Sequence, residues 1–204
     1  DAGSHPAQQQ LFGDQRRRLP RWHDPDHPLM LGALQPASAA APGRAAAHAY
    51  LDAPLDGMVE LALQRFAELT GREHRSLSTH RIDDAKLILL AMGSAIETAE
   101  ATADRLRETD RLKVGVVGLR RLHPFPGAEL SRLLGRGVRV CVLDCVDVPL
   151  SDDPPLLRQL RSALDRAAEN QAQGAEAHPG YPALATKNRP RLLSVIYGLG
   201  GLAL

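Results

Sequence analysis

Three short apolar runs, separated by segments with helical periodicity, dominate the middle of the chain. Residues 85–91, 113–119 and 138–146 are almost uninterrupted apolar runs, which are typical of strands buried on both faces of a sheet. Between the first two runs, apolar residues recur at helical spacing at Ile96, Ala99, Ala103 and Leu106. A buried strand, a helix of this length and a second buried strand together predict a parallel βαβ unit.

The flanking segments extend this α/β pattern. An amphipathic helix is predicted over Leu55–Leu69, ended by Gly71, and a polar linker over Glu73–Asp84. Helices are also predicted over 127–134 and from Pro155 to about residue 172, with a fourth strand over 190–197. We therefore expect a three-layer, mostly parallel sheet with helices on both faces. It is preceded by an irregular connector, over about 51 residues, that holds a short helix near 37–47.

Composition excludes several classes of function. The net charge of the 204 residues is +1 and aromatic residues make up 3%, which argues against a nucleic-acid partner. No run is long and apolar enough to cross a bilayer, and no secretory signal is present, so we predict a cytoplasmic protein without a membrane partner.

The metal-ligating residue types are sparse. The two cysteines, Cys141 and Cys145, fall on one predicted strand about 13 Å apart, too far for a disulfide, and we interpret them as small buried apolar residues. They are also two ligands short of a structural zinc site. The stretch from His23 to His27 could be a metal cluster, but a solvated turn is favoured because Pro25 interrupts it.

No complete catalytic constellation appears among the candidate residues. Ser94 begins a predicted capping box with Glu97; Gly93-Ser94 also forms half of a nucleophile elbow, without identifiable partners. Asp144 and His123 are single titratable groups in their loops. Arg72 could bind a phosphate or carboxylate, although pairing with a neighbouring carboxylate is favoured.

A loose dinucleotide fingerprint runs from Gly198 to Ala203. Such a fingerprint needs a following helix to hold the pyrophosphate, and a glycine-rich turn is the favoured interpretation. A small dinucleotide-binding domain therefore stays as a third hypothesis. The chain begins without a helix and stops just after a strand, which suggests a piece of a larger protein.

Segments along nearly the whole chain resemble, in the same order, the signatures of one enzyme family. They are Asp26-His27-Pro28 with Gly32, Leu69-Thr70-Gly71-Arg72, Asp84-Ala85, Ala91-Met92-Gly93-Ser94 with Glu97-Thr98, Lys113-Val114-Gly115, Arg121 with Pro124-Phe125, Val142-Leu143-Asp144 and Tyr197-Gly198-Leu199-Gly200. On these residues the chain resembles the pyruvate:ferredoxin oxidoreductase family, thiamine-diphosphate enzymes that oxidise 2-oxoacids. Residues 1–5 resemble a shortened form of a further family segment.

The resemblance implies a domain organisation and a setting. Residues 1–80 would be the end of a first domain, of the thiamine pyrimidine-binding type, with its linker, and residues 81–204 a second domain similar to the carboxyl-terminal domain of transketolases. Thiamine diphosphate, Mg and iron–sulfur clusters are expected in the parent enzyme, and none is expected to be bound by this segment alone. The implied partners are other domains or subunits of a homo-oligomeric enzyme, ferredoxin or flavodoxin as electron acceptor, and coenzyme A as acyl acceptor.

The same resemblance limits what the chain is expected to do alone. Arg72, Ser94, Arg121 and Asp144 are the candidate cofactor-binding residues, and no catalytic or metal-binding residue is assigned. Where the family has arginine, this chain has His123 before Pro-Phe and Cys145 after Leu-Asp, and Pro6 replaces a glutamate. We expect an inactive isolated chain that gives structural and subunit-contact support to the parent enzyme. The alternative is a divergent, non-catalytic docking or dimerisation module.

Overall fold

A computed structural model describes residues 36–49, 54–174 and 177–198, with the single positions 6, 9, 10 and 26. The chain divides into two compact units, Asp1–Arg75 and Ser76–Leu204. The predicted metal stretch (apart from Asp26), residues 1–5 and residues 199–204 lie outside the described positions.

Two helices of the first unit lie within the described ranges. They are α1 (Ala37–Ala47) and α2 (Leu55–Thr70), and no described residue of either is buried. Helix α2 ends at Gly71, which has φ 68° and donates its N–H to Ala67 O. The predicted glycine stop is therefore confirmed, because a left-handed residue at this position favours glycine.

The second unit is a five-stranded α/β domain. In chain order its elements are β1 (Leu77–His80), β2 (Leu87–Met92), α3 (Ala95–Thr109), β3 (Val114–Leu119), α4 (Gly127–Leu134), β4 (Arg139–Asp144), α5 (Pro155–Gln173), a 3-10 turn (Thr186–Asn188) and β5 (Arg191–Ile196). The strand order is β1-β3-β2-β4-β5. All neighbouring pairs are parallel except β1 with β3, so the predicted three-layer, mostly parallel α/β class is confirmed.

Strand β1 corrects the prediction of a polar linker over Glu73–Asp84. Leu77–His80 pairs antiparallel with β3, with Leu77 opposite Leu119. Only Leu77 of its four residues is buried. A short edge strand of this kind lacks an apolar run of its own and forms because β3 offers a free edge, which a local pattern does not show.

The two faces of the sheet carry separate apolar clusters. Helices α4 and α5 cover one face, and their leucines pack on Ile88, Leu90, Val140 and Val142. Helix α3 covers the other face, against Ala91, Val114 and Val116. It lies so close to β3 that a Cβ added at Gly118 would come within 2.8 Å of the Ile96 side chain.

Candidate functional site

At the carboxyl edge of the sheet, the chain leaves the neighbouring strands β2 and β4 towards opposite faces. From β2 the chain turns onto the α3 face and returns as β3, whereas β4 leads into α5 on the opposite face. Ligands of open α/β sheets bind in the crevice at such a switch point. Two predicted candidates, Ser94 and Asp144, lie at the ends of these neighbouring strands.

Ser94 does not form the predicted capping box. It is the N-cap of α3, but its backbone is already helical (φ −64°, ψ −21°) and its side chain makes no capping hydrogen bond. The extended backbone that aims an N-cap hydroxyl at the first turn is absent at this residue. The turn is closed instead by Gly93, at φ 65°, whose carbonyl accepts the Ile96 N–H at 3.2 Å.

A cleft of about 620 Å³ lies between α3 and the last two strands of the sheet. Hydroxyl side chains of Ser94, Thr98 and Thr102 line the helical side. Its other lining residues are Leu89, Ala95, Ala99, Leu143, Val195, Tyr197 and Gly198. Of the four candidates, the structure places Ser94 in this cleft. Thr98 and Tyr197 were named only within family-like segments and were not predicted to line a site, and Thr102 was not named. The helical spacing of 95, 98 and 102 was a usable signal for the two threonines.

Asp144 is buried beneath the same edge. Only 2% of its surface is exposed, and Oδ1 accepts the Leu156 N–H at 3.0 Å. The Asp144 carbonyl accepts the Tyr197 N–H, also at 3.0 Å, while Oδ2 has no partner among the residues described. Pro154 is the N-cap of helix α5 and Pro155 is its first residue, and neither has an N–H group. Asp144 therefore caps α5 at the Leu156 N–H, from 12 positions earlier in the chain. This geometry gives it a role in joining β4 to α5.

The predicted burial of both cysteines is wrong for Cys145. Strand β4 ends at Asp144, so Cys145 lies in the following loop and is exposed, whereas Cys141 in the strand is half-buried. Burial raises the pKa of the Cys141 thiol. Burial also raises the pKa of Tyr197, and the neighbouring Cys145 thiol and Asp144 carboxylate raise it further. A thiol, a phenol and a carboxyl group therefore adjoin the end of the cleft.

The arginine candidates lie elsewhere. Arg72 is exposed in the first unit, and its N–H donates to Thr70 Oγ1 at 3.2 Å. Arg121 is half-buried in the turn after β3, two residues before the exposed His123, and the His123–Pro124 peptide is cis. Near this turn, a smaller cleft of about 320 Å³ is lined by Gly93, Glu97 and Arg120, among others. Pairing of Arg72 with a carboxylate stays a prediction.

The donor groups of this chain decide which cofactors it can hold. Most iron–sulfur clusters are held by four cysteine thiolates, and the chain has two cysteines. Within the described ranges, no group of three His, Cys, Asp or Glu side chains could hold a metal ion. Two cysteines therefore do not supply the thiolates of a four-cysteine iron–sulfur site. None of the helices in the described part of the chain could span a membrane.

Comparison with known proteins finds a family model that matches part of the second unit. A family model described as "Pyruvate:ferredoxin oxidoreductase core domain II" matches residues 85–179. Pyruvate synthase subunit PorA of Methanothermobacter thermautotrophicus is 31% identical over 121 residues, which are 59% of this chain and 31% of that protein. Pyruvate-flavodoxin oxidoreductase of Nostoc is 28% identical over 190 residues, 93% of this chain and 15% of that protein.

The chain spans a minor part of these relatives. The match covers about a third of PorA and less than a sixth of the Nostoc protein. Among solved structures, transketolase from Leishmania mexicana is 24% identical with a TM-score of 0.30, covering 35% of this chain and 11% of that one.

Proposed function

Residues 85–179 belong to the pyruvate:ferredoxin oxidoreductase core domain II family, and from this premise we propose that the chain is a segment or subunit of a thiamine-diphosphate-dependent 2-oxoacid:ferredoxin oxidoreductase. Its part is to support the structure and the subunit contacts of an enzyme that decarboxylates a 2-oxoacid oxidatively to acyl-CoA. The observation that carries this proposal is the match of the family model to the three central strands of the sheet and their helices, from the start of β2 through α5.

The positions of the family-like segments support a contact role. Met92-Gly93-Ser94 forms the β2–α3 turn, and Val142-Leu143-Asp144 ends β4. One carboxylate oxygen of Asp144 accepts a hydrogen bond from the first turn of α5, and the Gly93 carbonyl accepts one from the first turn of α3. These signature residues therefore build the carboxyl edge of the sheet, an edge suited to contact with neighbouring domains.

The cofactors are proposed for the parent enzyme. Thiamine diphosphate, Mg and the iron–sulfur clusters would be held by other domains or subunits, and ferredoxin or flavodoxin would accept the electrons in the cytoplasm. We keep residues 1–80 as the end of a preceding domain with its linker and 81–204 as the second domain; β1 is then a strand that the linker adds to the sheet of the second domain.

A divergent docking or dimerisation module is the second candidate. His123 and Cys145 replace two family arginines, and both are exposed on loops at the carboxyl edge. Loss of two positive charges from this edge would weaken any anion contact made there.

The proposal is tested by isolating the protein from its native source through a tag on this chain. We expect co-purifying subunits or domains, thiamine diphosphate, iron and coenzyme-A-dependent oxidation of pyruvate. The recombinant chain, assayed alone, is the control and should give no turnover. A stable native complex without thiamine or iron would contradict the oxidoreductase and favour the docking module, while turnover by the isolated chain would contradict the supporting role.

A further inference from the structure

The α3 face of the sheet is covered over only part of its width. Helix α3 packs on β2 and β3, whereas α4 and α5 together cover the opposite face. Side chains alternate along a strand, so Leu143 of β4 shares the α3 face with Leu193 and Val195 of β5. Leu193 is 50% exposed and Val195 41% exposed. A strip of apolar sheet beside α3 therefore has no cover among the described residues.

An open cleft lies above this strip, beside α3. We call it the open groove: the 620 Å³ cleft between α3 and β5, together with Leu193. Its helical wall is made of small side chains, Ala95, Thr98 and Thr102, which allow a second helix to approach α3 at the usual 8–10 Å. A strand of six residues, such as β4, is about 20 Å long, the length of a helix of about 14 residues.

Two arginines mark one end of the open groove. Arg139 and Arg191 are the first residues of β4 and β5, are paired in register, and lie on the α3 face by strand alternation. Both are exposed, and neither forms an ion pair with a described residue. Like charges directly opposite each other on neighbouring strands are destabilising, so this end of the groove favours a negatively charged occupant.

The geometry points to an amphipathic helix, supplied by the rest of the parent oxidoreductase, as the occupant of the open groove. Its apolar face would cover Leu143, Leu193 and Val195. Its carboxyl-terminal turn, with acidic side chains and the negative end of the helix dipole, would lie over Arg139 and Arg191. This helix would run antiparallel to the strands, as crossover helices do. The inference rests on the proposed function, because it names the class of partner that the domain contacts.

Synthetic peptides test the recognition directly with the 204-residue chain. One probe is a fluorescent amphipathic helix of about 14 residues with two glutamates in its last turn, and the second carries two lysines there instead. We expect the acidic peptide to bind more tightly, as measured by fluorescence anisotropy. The Arg191→Glu variant should abolish the preference between the two peptides, because the new carboxylate offsets the charge of Arg139 opposite it. Absence of binding, or a preference that Arg191→Glu leaves unchanged, would overturn the inference.

A matched pair of apolar substitutions locates the binding surface. Leu193 in the open groove and Leu112 in the loop before β3 are each 50% exposed, so neither replacement empties a core. Leu193→Glu should weaken binding of the acidic peptide by about tenfold or more, since it places an unpaired charge in the interface, and Leu112→Glu should leave binding unchanged. Equal losses for both variants would contradict the groove as the site.

Crosslinking in the native complex identifies the natural occupant. A photoreactive benzoylphenylalanine replaces Leu193, and mass spectrometry locates the crosslinked segment. A helical segment of the parent enzyme with acidic residues in its last turn supports the inference. A second copy of β5, or no protein segment, overturns it. The cofactor assays of the same complex are independent of this result, so failure of the groove contact and failure of the proposed function are distinguishable.

Discussion

Helices α3 and α5 lie on opposite faces of one sheet and are held in different ways. Seven residues of α5 are buried, four of them leucines at helical spacing, and they join the larger apolar cluster. Three residues of α3 are buried, and two of those are alanines. The α5 face is therefore stabilised by apolar burial within the domain, whereas the α3 face leaves the side chains of Leu193 and Val195 exposed.

Polar contacts hold the carboxyl-terminal half of α3, which buries fewer apolar side chains than α5. The Arg107 side chain, 19% exposed, donates to Val114 O at 2.6 Å, to Arg81 O at 2.8 Å and to Asp84 at 2.7 Å. One turn earlier, Asp104 accepts from both His80 and Arg81. Charged hydrogen bonds therefore add to apolar burial in stabilising the α3 side, whereas the α5 side depends mainly on the volume of its buried leucines.

The largest expected effect tests the contribution of apolar burial by α5 to stability. Leu160 in α5 is fully buried, so Leu160→Ala should lower the free energy of unfolding by about 3 kcal/mol, through lost transfer energy and a residual cavity. Leu193→Ala on the α3 face removes the same atoms from a half-exposed site and should cost less than about 1 kcal/mol. Urea titration measures both. Similar losses would show that the α3 face is as closed as the other.

The next largest loss of stability is expected on removal of a buried side-chain amide of α5. Asn170 is 2% exposed; its Nδ2 donates to His178 O at 2.9 Å and Tyr181 O at 3.0 Å, and its Oδ1 accepts the His178 N–H at 2.8 Å. Asn170→Ala leaves three polar groups unsatisfied and should cost about 2 kcal/mol, with faster amide exchange at His178. The exposed neighbour Gln171, replaced by alanine, is the control. Unchanged exchange at His178 would contradict this anchoring role.

The sequence predicted those strands and helix ends that are determined by neighbouring residues in the chain. Apolar runs located β2, β3 and β4, and Gly71 located the end of α2. Strand β1, Asn170 and the Asp144 cap were not predictable in the same way, because each depends on a partner distant in the chain: Leu119, His178 and Leu156, respectively. The candidate site shows the same division. Ser94 was located by its turn, whereas the cleft that it lines is made by β5 about 100 residues later.

The ion pair between Asp84 and Arg107 on the α3 side predicts that stability depends on pH. The hydrogen bond from Arg107, helped by Lys113, lowers the pKa of Asp84 from 3.8 to about 2, although partial desolvation opposes the shift. Since the folded pKa is depressed, the stabilising contribution is present above pH 3.8 and is lost as the pH falls towards about 2. Asp84→Asn should flatten the decline in stability over this interval, measured by urea titration at a series of pH values.

Asp83 supplies the matched control for this titration. It is the exposed neighbour of Asp84 and has no ion pair with a described residue. Asp83→Asn should retain the decline in stability that Asp84→Asn flattens. If both variants behave alike, the Arg107 contact does not govern the acid response of the α3 side.

The smallest expected effect separates two serines, one on each side of the sheet. Ser131 in α4 is buried, and its hydroxyl contacts Gly127 O at 2.7 Å and Ala163 O at 3.3 Å, so Ser131→Ala should cost about 1 kcal/mol. Ser94 makes no capping bond, so Ser94→Ala should change the free energy of unfolding by less than about 0.5 kcal/mol. A capping box would instead cost about 1 kcal/mol on this replacement. A loss of that size for Ser94→Ala would mean that the Ser94 hydroxyl caps α3 in solution. The hydroxyl would then be occupied by the helix and would not be available to a ligand in the cleft.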